Sequence, residues 1–276
     1  SYVLKEIADI TVDTPLTNEI LLRFKSTGGF NDEIDITYAG ILCFIAAEKL
    51  NKDPTELILD VLIKADDSGI AYIENFLSKI DVDISDVKAR LDYPSTDKND
   101  LIHSTFDQLF FGPELYSKIF QKKSKFSEKG FIENDNVIVN SDLIEALKKR
   151  FSDKIAIVTG RGFNAISSSL KEILNQFNVE NSVFLEDESR DLAKPNPQSL
   201  IRSMKGLDSK NCLYVGDSME DMILAQKASE LGFQATFCGI YGSGKLPEVK
   251  KNMFIDKNVP FILESINFLP KALNLV

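Results

Sequence analysis

Three short stretches carry residues whose types and spacing suit chemistry on an anion. In Leu213-Tyr-Val-Gly-Asp-Ser-Met-Glu-Asp221 an apolar run meets a glycine and an aspartate, and a second aspartate follows one helical turn later. A hard divalent cation takes about six oxygen ligands and usually keeps some as water. Asp217 suits such a cation, directly or through water. Asp221 suits ordering the metal's water shell or holding a lysine, so both are metal candidates. Ser218-x-x-Asp221 also fits a capping box at a helix start, and one carboxylate can serve both ends. Lys194, in Lys194-Pro-Asn-Pro197, supplies an ammonium that would offset a carboxylate or a phosphoryl charge. Val158-Thr-Gly-Arg161 places a hydroxyl and backbone N–H groups where a strand turns into a helix. That is an anion cradle of Thr159 and Gly160, with Arg161 reaching for a phosphate or the far end of a substrate. The same residues also read as a threonine N-cap and a turn glycine.

The surrounding elements are ordered to present these groups along one sheet edge. From Phe131 onward, short β-rich runs alternate with amphipathic stretches: strands are expected at Ile155–Val158, Val183–Leu185, Cys212–Val215, Gln234–Cys238 and Met253–Ile255. Helical faces are expected from Phe163 to Phe177 and from Met219 to Leu231, the second ended by Gly232. Alternation of this kind implies βαβ units, a parallel sheet flanked by helices, and ligands beyond the carboxyl ends of the strands. Thr159, Lys194 and Asp217 all fall at or after such ends. The first half is instead helical by period: Ile34 to Leu50, Leu57 to Ala65, Ile70 to Ile80, and two short helices around Gly112-Pro113, with a loop at Tyr93–Asp100. The fold class is therefore α/β, a Rossmann-like core plus an all-helical domain, with the boundary near Lys125–Asn136.

Composition excludes more than it assigns. The 276 residues carry a net charge of −10, against a broad nucleic-acid surface, and hold no long apolar run of membrane-spanning length. Lys122-Lys123, Lys148-Lys-Arg150 and Lys250-Lys251 read as solvated helix ends. Cys43, Cys212 and Cys238 are too few and too scattered for a disulfide framework or a zinc site, and fit buried thiols in a cytoplasmic protein. Gly242-Ser-Gly-Lys245 lacks P-loop spacing and reads as a plain loop. His103, the single histidine, reads as structural or surface.

Together, Val158-Thr-Gly-Arg161, Lys194-Pro-x-Pro197 and Gly216-Asp-Ser-x-x-Asp221 resemble, in order and spacing, the second to fourth motifs of the haloacid dehalogenase (HAD) superfamily. Phe106-Asp-Gln-Leu-Phe-Phe-Gly112 and Gly28-Gly-Phe-Asn-Asp32 are similar to segments of phosphatase-like members with a helical cap. The resemblance implies residues 1–14 as a linker, 15–125 as a helical cap and 126–276 as the α/β core. It implies a Mg²⁺-dependent phosphohydrolase acting on a small phosphomonoester through an aspartyl phosphate, with Lys194, Thr159 and Asp221 in the catalytic machinery. Phe30, Asn31 and Asp32 are the expected specificity residues of the cap, with a helix start at Asn31 or Asp32 as the other reading. Phosphomutase or dehalogenase chemistry on the same scaffold, and a non-catalytic binding protein, are the alternatives. The family's first motif, DxDGT or DxDGV, has no match here. Asp9-x-x-x-Asp13 has the wrong spacing, and Asp81-Val-Asp83 lies between helical segments. The nucleophile and a central strand are thus expected upstream of Ser1. The oligomeric state, a homodimer included, stays open.

Overall fold

A computed structural model describes residues 1–13, 15–30, 32–95, 99–244 and 246–275. The chain divides into two compact units, Ser1–Phe131 and Ile132–Val276.

The first unit is helical: α1 (Tyr2–Ala8), α2 (Asn18–Ser26), α3 (Glu33–Leu50), α4 (Pro54–Leu62), α5 (Ile70–Lys79), α6 (Ser85–Leu91) and α7 (Leu101–Phe120). Its centre is α3, buried on nearly every side from Ile34 to Ala47 and packed against α1, α4, α5 and α7. Such a helix is apolar all round rather than striped, as a core helix must be. Its start is fixed by Asp32, whose side chain accepts from Ile34 N at 2.8 Å, and its end by Asn51 in the left-handed region. α1 belongs to this core through Val3, Leu4 and Ile7, although residues 1–14 were expected as a connector. The two helices expected around Gly112-Pro113 appear as α7 with a kink. Gly112 breaks the helical path at φ 71°, ψ 168°, and Pro113 starts the second half. His103 is buried, its ring tilted by 32° to that of Tyr93 with centroids 5.4 Å apart, and its Nδ1 lies 2.6 Å from Asp100 Oδ2. Burial pushes the Asp100 carboxyl up, but the His103 and Ser95 hydrogen bonds prevail and hold it at about 2. Asp100 also caps α7, so this histidine anchors a helix start.

The second unit contains α8 (Ser141–Phe151), β1 (Val158–Thr159), α9 (Phe163–Leu170), β2 (Val183–Phe184), α10 (Gln198–Gly206), β3 (Asn211–Gly216), α11 (Met219–Glu230), β4 (Gln234–Ile240), α12 (Pro247–Asp256), β5 (Phe261–Leu263) and α13 (Leu269–Ala272). All strand pairs are parallel: β1 with β2, and β3 with β4 with β5. Parallel strands need crossovers, which the helices supply while covering both faces. Tyr214 and Phe237 face a layer with Leu200, Ile201, Leu224 and Phe254, while Leu213, Val215, Cys238 and Ile240 face Leu143, Leu147 and Leu269. Burial pushes the Cys43 thiol up to about 12, and Cys212 and Cys238 each to about 11, so all three stay protonated.

Two sequence expectations differ. Met253–Ile255 is the last full turn of α12, not a strand: three apolar residues cannot distinguish the two periods, and Phe254 alone is buried. β5, the strand that does pair with β4, is only three residues long and follows Pro260. The strand expected at Ile155–Val158 is paired as β1 only at Val158–Thr159. Before it, Ile155 O and Ile157 O each accept one backbone bond, from Asn178 N and Val183 N at 2.7 Å.

The sheet is in two pieces. Among the described residues, no backbone ladder joins β1 to β3; Tyr214 Oη lies 3.2 Å from Val158 O between them. Strands of parallel sheets are normally buried on both faces. Yet Ile155, Ile157, Val158, Leu213 and Val215 are each only half-buried.

Candidate active site

The carboxyl end of β3 is built around one missing methyl group. A Cβ on Gly216 would stand 2.5 Å from Asp221 Oδ2, so only glycine lets that carboxylate fold back over the strand end. Ser218 then caps α11 as anticipated: its Oγ accepts from Asp221 N at 3.1 Å, and Asp221 returns the bond to the Ser218 backbone.

Asp221 is 5% exposed and saturated. Its Oδ1 meets Lys194 Nζ at 2.6 Å and Tyr214 Oη at 3.0 Å, while Oδ2 accepts from Asp217 N, Ser218 N and Ser218 Oγ at 3.1, 3.2 and 2.9 Å. Burial pushes its carboxyl up; the Lys194 charge and the Lys194, Ser218 and Tyr214 hydrogen bonds outweigh that and hold it below the usual carboxylate range. Tyr214 responds oppositely, pushed well up by burial and then by the Asp221 charge. With both oxygens engaged, Asp221 suits holding a lysine, one of the two roles foreseen for it. Lys194 is the held group, 14% exposed along its side chain, with Nζ 5.7 Å from the centre of the Tyr214 ring.

Asp217 is the open carboxylate, its side chain 52% exposed. Its Oδ2 receives Lys250 Nζ at 2.7 Å and Ser243 Oγ at 3.2 Å. Sequence reasoning missed both partners, having read the Gly242 loop as plain and Lys250-Lys251 as a solvated helix end. A usable signal existed: Lys250 sits one turn into α12, where the helix dipole disfavours a cation. Among the described residues no group of three His, Cys, Asp or Glu side chains is arranged to hold a metal. A hard cation fits here only through the single carboxylate of Asp217, which already holds an ammonium. A site of that kind, one carboxylate with the remaining positions left to water and substrate, suits Mg²⁺.

Thr159 closes β1, and its Oγ1 accepts from Arg161 N at 3.2 Å. Gly160 faces open space. The expected cradle is narrower than three residues. Arg161 forms a two-pronged pair with Asp135, which also takes the Ser169 hydroxyl and is held below its ordinary range, mainly by the Arg161 hydrogen bond. The first N–H groups of α9 are also engaged: Gly162 N donates to Glu186 Oε2 at 2.7 Å and Phe163 N to Asp187 Oδ2 at 2.6 Å. The chain's own carboxylates thus fill the helix N-terminus. Of the expected specificity residues, Phe30 is fully buried with its ring edge-on to Phe24 at 4.9 Å, a core role. Asp32 caps α3, and Asn31 lies outside the described residues.

Residues 130–229 match the haloacid dehalogenase-like hydrolase family. That span contains Thr159, Lys194, Asp217 and Asp221. No curated protein sequence matches significantly. An X-ray structure of a Northeast Structural Genomics Consortium target is similar in fold, with a TM-score of 0.60 at 17% identity over 99% of this chain and 92% of that one. No helix among the described residues is long and apolar enough to cross a membrane. The matched span falls on the α/β unit and holds the three motifs in order: this region is similar to the haloacid dehalogenase-like hydrolases.

Proposed function

We propose that the chain is the larger part of a Mg²⁺-dependent phosphohydrolase acting on a small phosphomonoester. The observation that carries this reading is Lys194 Nζ held at 2.6 Å by a buried, saturated Asp221, one turn from the open carboxylate of Asp217. The arrangement fixes an ammonium at a strand end and keeps a second carboxylate accessible beside it. Preorganised charge of this kind supplies most of the rate enhancement in phosphoryl transfer. Lys194 and the Thr159 hydroxyl bind and orient phosphoryl oxygens, and the Gly160 backbone allows close approach because nothing crowds it. Asp221 positions Lys194. Asp217 is the residue that would hold Mg²⁺, which when bound neutralises charge on the transferring group.

The nucleophile is assigned to an aspartate preceding Ser1, which forms an aspartyl phosphate that water then hydrolyses. Three features support this assignment. Asp83 is occupied at a helix start in the first unit, accepting from Ser85 N at 2.9 Å, and Asp9 closes α1 in the left-handed region. The two sheet pieces leave β1 and β3 without a mutual ladder, and their apolar residues are half-buried, which suits a further strand. We place the protein in the cytoplasm. The test is phosphate release from a panel of sugar phosphates, phosphoglycolate and nucleotides, with and without Mg²⁺, by protein that includes the upstream residues. Mg²⁺-dependent turnover of at least one is expected; none on any would overturn the reading.

A further inference from the structure

We propose that Lys250 is a resident counter-cation at Asp217, a positioning residue that holds the carboxylate in place and must be displaced or shared when a divalent cation binds. The inference rests on the reading of Asp217 as the metal carboxylate.

Three observations carry it. First, Lys250 Nζ does not merely lie near Asp217; it bridges Asp217 Oδ2 at 2.7 Å and Ser243 O at 3.2 Å, while Ser243 Oγ reaches the same Oδ2 at 3.2 Å. The β4–α12 loop and α12 thus form a second wall, reaching the carboxylate from elements outside the span that matched the family. Second, the Lys250 side chain is only 22% exposed although lysine normally extends into water. It passes Gly244, whose missing Cβ would stand 3.4 Å from Nζ. Third, a cation one turn into α12 opposes the helix dipole. Its ordering there is offset by the charge-assisted bond to Asp217.

The consequence concerns metal binding. Lys250 Nζ and a divalent cation would share one carboxylate, so the ammonium lowers apparent affinity and keeps the open carboxylate from swinging into solvent. Because Asp217 is half-exposed, the competition is modest, roughly fivefold in Kd.

The test is Mn²⁺ binding, read from loss of the free-ion signal in electron paramagnetic resonance, for the wild-type chain and for Lys250→Gln, Lys250→Arg and Asp217→Asn. Each variant is checked by its melting transition. Lys250→Gln is expected to tighten binding roughly fivefold, Lys250→Arg to stay near wild type, and Asp217→Asn to abolish binding. If Asp217→Asn abolishes binding but Lys250→Gln leaves it unchanged or weakens it, the counter-cation proposal fails and the metal carboxylate stands. If Asp217→Asn binds as wild type, the site reading fails and the proposal with it.

Discussion

Replacing Lys194 by methionine removes the ammonium while keeping most of the side chain's bulk. Asp221 then keeps four of its donors: Tyr214 Oη, the Asp217 and Ser218 backbone N–H groups and Ser218 Oγ. Removing one partner of a buried ion pair costs about 3–5 kcal/mol because the other charge stays behind. The four remaining donors place this loss at the lower end, about 3 kcal/mol at pH 7. The pH dependence supplies a second, independent signature. In the wild type the Asp221 carboxyl is held low, so its contribution is present above the unfolded value near about 4 and is lost as pH falls through the folded value. Without Lys194, burial dominates and the folded value rises above the unfolded one. The variant's deficit is then largest at neutral pH and shrinks toward acid, where protonation removes the unpaired charge. Urea unfolding followed by circular dichroism, at pH 7 and at about pH 4.5, measures both. Lys194→Met with Asp221→Asn should recover part of the loss, with a coupling of about 2 kcal/mol. A deficit under about 0.5 kcal/mol at pH 7, or one that grows toward acid, would refute the pair as the anchor of the strand end.

Gly216→Ala places a methyl group 2.5 Å from Asp221 Oδ2. It should cost about 2–3 kcal/mol of stability in thermal melts and reduce phosphatase turnover along with it; an unchanged melt would contradict the fold-back geometry. In the helical unit, Asp100 is held at about 2 against 3.8 for an unperturbed aspartate. Its stabilisation, about 2 kcal/mol, is present above about pH 4 and lost as pH falls toward about 2. Acid titration of Asp100→Asn should therefore show a flatter loss of that unit than wild type; parallel curves would exclude the Asp100–His103 pair as its source.

The motif residues were legible in the sequence because each is tied to a strand end or a helix start, features that short-range pattern encodes. Ser218 and Asp221 gave a capping box, and the run from Cys212 to Val215 gave a strand, which lies within β3. The helices of the first unit were legible by period, α3 from Ile34 to Leu50 above all. What was not legible depended on partners distant in sequence. Arg161 looked like a phosphate ligand until Asp135, 26 residues earlier, was seen beside it. Phe30, in a glycine-started loop, was expected among the specificity residues, but it packs edge-on to Phe24 in the core. Lys250 and Ser243 reach Asp217 across 33 and 26 residues; the place of Lys250 near a helix start hints at a nearby anion but does not name Asp217 as its partner. Met253–Ile255 failed for the opposite reason: its pattern was too short to distinguish strand from helix.

The most direct test of Asp217 as the metal-holding carboxylate of a phosphohydrolase is a single comparison. Phosphate release from a generic phosphomonoester is measured at saturating Mg²⁺, for wild type and Asp217→Asn, in protein that includes the residues preceding Ser1. Turnover should fall by roughly a hundredfold or more while the melting transition stays close to wild type. Equal turnover in the two proteins would contradict it.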